Sequence, residues 1–164
     1  MDRKLRGLMK TVARTFFFLF VAMGAATSVS ARELPDADRT TLGESAQLAA
    51  SFARCAGYWT WLSESTRRDG KPAGADYLNT YANGAYSSAL WLLATRYAAE
   101  NAEGPPRTYG SFGALIEGPR ELERLRMTAL EESGDIESIS AAHTICEALT
   151  EGSETILSEM RQAR

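Results

Sequence analysis

Beyond residue 31 the chain has a single lysine, Lys71, and in all of its 164 residues only one histidine and two cysteines. One histidine leaves no basis for a polyhistidine metal site. The absence of Cys-x-x-Cys removes a thioredoxin-type redox pair, and His143-Thr144-Ile145-Cys146 is not a haem-attachment motif. Eighteen basic residues against 21 acidic ones give a net charge of −3, which excludes a strongly basic protein that coats nucleic acid. No dinucleotide-binding glycine pattern, P-loop, His-Glu-x-x-His or EF-hand loop occurs, and no cofactor is expected. Alternating apolar runs rich in β-branched residues are also scarce, so strands are not required.

What is present first is an export pattern. Arg3, Lys4, Arg6, Lys10 and Arg14 precede the apolar run from Phe16 to Ala26, and Val29 and Ala31 stand where a signal peptidase needs small residues. The run is shorter than the roughly 20 residues of a spanning helix. Residues 1–31 therefore read as a cleaved signal peptide, and 32–164 as a single helical domain in the periplasm or outside the cell. No stable membrane insertion is expected after cleavage. The mature part then holds 13 basic and 20 acidic residues, a net charge of −7, which disfavours nucleic acid and anionic membranes as partners.

In an oxidising compartment, Cys55 and Cys146 form one possible intramolecular disulfide, closing a loop of 91 positions. Each falls on the apolar face of an expected helix. Leu48, Phe52, Cys55, Trp59 and Leu62 share one face of a helix over 41–66, which Thr41 and Glu44 would start as a capping box. Residues 67–74 read as a loop. A second helix runs from 74 or 75 to about 101, with Leu78, Ala82, Ala85, Ala89 and Leu92 as a stripe of small and medium residues. The glycine- and proline-rich segment 102–118 reads as a long loop that packs down on its aromatics. Pro119 begins a third helix, to about Glu132, with Leu122, Leu125 and Ala129 as its narrow apolar face. Ser133-Gly134-Asp135 ends it and caps a fourth, 136–161, whose inward face carries Ile139, His143, Cys146, Leu149, Ser153, Ile156 and Met160. The expected fold is all-α: a small antiparallel bundle of about four helices, with a disulfide joining the first and last.

Candidate chemistry is sparse. His143 reads as a half-buried histidine bonded to a neighbour, and no Gly-x-Ser-x-Gly elbow supports a serine triad around it. Glu64-Ser65 resembles the catalytic glutamate region of lytic transglycosylases, but the Gly-Leu-Met-Gln-type segment that should follow is missing. Glu64 reads instead as a partner of Arg67 or Arg68. The aromatics are dense, and Tyr58, Trp61, Tyr77, Tyr81, Tyr109 and Phe112 are the candidates for an interaction surface. The expected function is non-catalytic binding of a protein partner, as an accessory, inhibitor or immunity-type factor. The alternatives are a small-ligand carrier with an aromatic-lined pocket between the first two helices, and an enzyme acting on peptidoglycan.

Overall fold

The computed structural model describes residues 36–162, with side chains from Glu44 onward. The expected signal peptide, residues 1–31, lies outside the described residues. Four α-helices follow in order: α1 (Asp36–Arg68), α2 (Pro72–Glu100), α3 (Gly113–Ser133) and α4 (Ile136–Gln162), with one 3₁₀ turn at Tyr109–Phe112 before α3. There is no strand among the described residues. The fold is an up-down-up-down helical bundle, and the Cys55–Cys146 disulfide joins its first and last helices, with Cα atoms 5.2 Å apart.

Three of the helix boundaries differ from those read in the sequence. Helix α1 starts at Asp36, so Thr41 lies inside it and does not cap it. Helix α2 starts two residues before the expected glycine because Pro72, with φ preset for helix and no N–H to satisfy, occupies its first turn. Helix α3 begins at Gly113, and Pro119 sits inside it rather than at its start. Glycines 113 and 118 do not break the segment. The expected long loop is thereby reduced to 101–108 and the 3₁₀ turn.

That connection does pack down. Tyr109 stacks on Trp91 with centroids 5.5 Å apart, Phe112 meets Tyr97 edge-on at 5.7 Å, and the Arg107 guanidinium lies over the Tyr97 ring. The α3–α4 turn follows the sequence reading. Gly134 adopts φ 72°, the Asp135 N–H donates to the Leu130 carbonyl and the Gly134 N–H to that of Glu131, which is a Schellman closure. Asp135 then caps α4 by accepting from the Ser138 N–H at 3.0 Å.

Helix α1 is the axis of the bundle. Phe52, Ala53, Cys55, Ala56, Tyr58, Trp59 and Trp61 are all buried, which exceeds one helical face. Between Glu44 and Glu64 the only charge is Arg54, and a helix apolar on all sides goes to the middle of a bundle. Helices α2, α3 and α4 each pack on it. On α2, the stripe of Ala82, Ala85 and Ala89 is buried and admits close approach. Close contact of α2 with α4 occurs where Ser88 and Ser153, both buried, share a hydrogen bond at 2.9 Å.

Candidate functional site

The six aromatics expected at the surface separate into two groups. Tyr58, Trp61 and Phe112 are buried, with 2%, 4% and 4% of their surface exposed, and cannot present a binding face. The physical reason for Tyr58 and Trp61 is the central position of α1, which encloses both side by side with rings 5.8 Å apart, and Phe112 is covered where the 3₁₀ turn packs on Tyr97. The Trp61 Nε1–H donates to Glu131 of α3 at 2.9 Å, while the Tyr58 hydroxyl meets Nδ1 of His143 on α4 at 2.9 Å. Tyr77 and Tyr109 are exposed and Tyr81 is half-buried. Tyr77 and Tyr81 pair edge to face on α2 with their hydroxyls bonded. One face of Tyr109 is taken by Trp91.

His143 takes the role expected of it. Burial and the nearby Glu147 carboxylate push the Tyr58 phenol up to about 12, so the protonated hydroxyl shares a hydrogen bond with Nδ1. The other ring nitrogen, Nε2, lies 3.9 Å from Glu147 Oε2. His143 thus meets a tyrosine and a glutamate, and no serine bonds to it among the described residues. Glu64 bonds to Arg124 of α3 at 3.2 Å, across helices, rather than to Arg67 or Arg68. Arg67 pairs with Asp76 and Arg68 with Glu131. No group of three or more His, Cys, Asp or Glu among the described residues could hold a metal ion.

The largest departure from the sequence reading is on α3. Leu122, Leu125 and Ala129 were its expected core face, yet Leu122 is 70% and Leu125 51% exposed, and Ala129 is exposed as well. The side that packs on α1 carries Ile116, Met127 and, partly buried, Leu130, together with Glu123 and Arg124. Those charges are satisfied there, Arg124 by Glu64 and Glu121, and Glu123 by Arg126. Two features of α1 make this rotation stable. Gly57 lets the α3 backbone come so close that an added Cβ would lie 2.1 Å from the Arg120 carbonyl oxygen. Trp61, Ser65 and Arg68 together hold the Glu131 carboxylate. Desolvation pushes that carboxyl up, but these hydrogen bonds and the Arg68 charge outweigh it and leave its pKa below the ordinary value. What remains outward is a row of leucines at 115, 122 and 125, with Leu115 63% exposed.

A second surface feature is concave. The aromatic-lined pocket expected between the first two helices lies instead between α2 and α4, over a floor of Trp59 from α1. It comprises two adjoining open hollows of about 270 and 400 Å³ that share Trp59, Tyr81, Thr150 and Glu154.

Sequence reasoning missed the outward leucines, and also Gly57 and Glu131 as the contacts that turn α3. The near absence of charge around α1 was the available indication that α3 would cover its remaining side at Trp61. No protein-family model matches the chain, and no curated protein or solved structure matches it either.

Proposed function

We propose that this is an exported, non-catalytic helical protein that acts by binding another protein, as an accessory, inhibitor or immunity-type factor. The observation that carries the reading is the leucine row of α3. A helix that turns Glu123 and Arg124 inward and Leu115, Leu122 and Leu125 outward leaves apolar area in water that its own fold does not cover. The spacing of seven and three residues matches a seam into which an amphipathic helix of a partner can lay its apolar side. Glu121 and Arg126, both exposed, flank the row and offer such a partner a polar rim.

Export is supported by three compatible features: the basic-then-apolar N-terminal sequence, the Cys55–Cys146 disulfide, and the lack, among the described residues, of any helix long and apolar enough to cross a membrane. The periplasm is the compartment that fits them. Mass spectrometry of the protein from its native cell tests this half of the reading; a chain beginning at Arg32 with no free thiol is expected. For the binding half, Leu122→Glu with Leu125→Glu retains the helical circular-dichroism spectrum and loses the partner. Loss of the fold in that variant would mean that the row belongs to the core.

A further inference from the structure

The leucine row of α3 has a regularity beyond its exposure. Leu115, Gly118, Leu122, Leu125 and Ala129 are all exposed, and their spacings alternate between three and four residues. That alternation is the seam of a two-stranded coiled coil, with 115, 122 and 129 as one set of layers and 118 and 125 as the other. Nothing of the chain lies within 4 Å of where a Cβ would stand at Gly118, so the seam is open there too. Ile116 and Met127, which pack toward α1, lie on the opposite side of α3. The body of the bundle therefore does not stand between the seam and a second helix.

An apolar seam fits many helices, and the charges on its flanks choose among them. Glu121 stands on one flank, just before Leu122, and Arg126 on the other, just after Leu125. Across a parallel pair, a residue on the first flank faces the one five positions later on the opposite flank of the neighbouring helix. Two copies of α3 side by side in parallel, related by a twofold axis, thus bring Glu121 of each copy to Arg126 of the other. An antiparallel second copy would set like flank against like, glutamate on glutamate and arginine on arginine. Both side chains are exposed, and Glu123 engages Arg126 through Nε and Nη2, which leaves Nη1 for a second carboxylate. Resting on the reading of the row as a protein-binding face, we propose that it pairs in parallel with the row of a second copy of this chain. The protein is then a homodimer in its resting form, and a different partner docking on the row must displace the second copy. Helix α3 is already formed in the bundle, so pairing costs no helix ordering. With one helix per copy the interface belongs to the small, reversible class, below about 1,200 Å².

The test is analytical ultracentrifugation of the purified, disulfide-intact exported protein at concentrations up to about 1 mM. A concentration-dependent equilibrium between monomer and dimer is expected. Glu121→Arg and Arg126→Glu each place like charges together at both crossings, and each should weaken the dimer about tenfold while keeping the helical circular-dichroism spectrum. Mixing these two single variants should restore the dimer, because each carries the charges that the other lacks. Leu125→Glu should abolish it. A protein that stays monomeric throughout, a dimer indifferent to the charge reversals, or a mixture that fails to restore it would each overturn the self-pairing. A monomer whose row still crosslinks to a different protein would overturn the self-pairing alone and leave the binding face standing.

Discussion

Gly57 of α1 faces the backbone carbonyl of Arg120 on α3 with no room for a side chain, since an added Cβ would lie 2.1 Å from that oxygen and 3.1 Å from the Glu123 Cβ. This contact sets how close α3 comes to α1. Together with the Trp61–Glu131 bond it also sets which side of α3 turns inward. Gly57→Ala must push the helices apart or bend one of them. It is expected to cost about 1–3 kcal/mol, toward the upper end because the obstacle is backbone, and urea unfolding measures it. A Gly57→Ala protein as stable as wild type would mean that α3 does not sit against α1 in this way.

Substitutions on α3 should divide by side. Met127 is fully buried, and Met127→Ala is expected to cost about 2–5 kcal/mol. Leu122→Ala and Leu125→Ala should each fall within about 0.5 kcal/mol of wild type, because their side chains lie mostly in water. Thermal unfolding of the three single variants is sufficient. The reverse order would restore the leucine side as the core face.

The disulfide closes a loop of 91 residues between the first and last helices. In the chain-entropy account such a cross-link contributes about 4–5 kcal/mol by restricting the unfolded chain. Reduction should therefore lower the unfolding midpoint of the wild-type protein. It should leave the Cys55→Ala, Cys146→Ala double variant unchanged at its lower value. The bond is buried, with Cys55 and Cys146 at 2% and 5% exposure, so reduction should be slow unless denaturant is present.

Acid should weaken the α1–α3 contact and the α3–α4 turn together. Glu131, held by Trp61, Ser65 and Arg68 against the opposing effect of desolvation, and Asp135, held by Ser138, both have lowered pKa values. A carboxyl with a depressed folded-state pKa gives stability that is present above its unfolded value. That stability is lost as pH falls through the folded one. The loss should begin near the ordinary glutamate value of 4.5 and continue below it. Urea unfolding at pH 7 and pH 3.5 should show a smaller difference for Glu131→Gln than for wild type.

The sequence made the helices legible, and much of the core. Cys55, Phe52 and Trp59 on α1 and Cys146, Leu149 and Ser153 on α4 lie inward as their spacing predicted, because both helices meet the core with a regular apolar stripe. The Gly134–Asp135 turn was legible for a different reason, since a positive φ and an N-cap have strong local residue preferences. The orientation of α3 was not. Its leucines form as good a stripe as its buried side, and periodicity alone cannot say which stripe meets the bundle. The decision rests on non-local contacts: a glycine 63 positions earlier that admits the Arg120 carbonyl, and a tryptophan 70 positions before Glu131. For the same reason Tyr58 and Trp61 were expected nearer the surface. A helix packed against three others keeps only a few outward positions, here Gln47, Arg54 and Glu64 among them, and the count of its neighbours is a property of the whole fold. The hollows between α2 and α4 were legible only as an excess of aromatics, because their position depends on how those two helices pack over α1.

The central claim is that the outward leucines of α3 are a protein-binding face. The most direct measurement is site-specific photocrosslinking in the native exporting cell, with p-benzoylphenylalanine placed singly at Leu122, at Leu125 and, for comparison, at the exposed positions Thr144 and Thr155 of α4. The account predicts one discrete covalent adduct of defined mass from positions 122 and 125, none from 144 or 155, and loss of the adduct from position 122 when Leu125→Glu is added. No adduct from the leucine row, or the same adducts from all four positions, would contradict it.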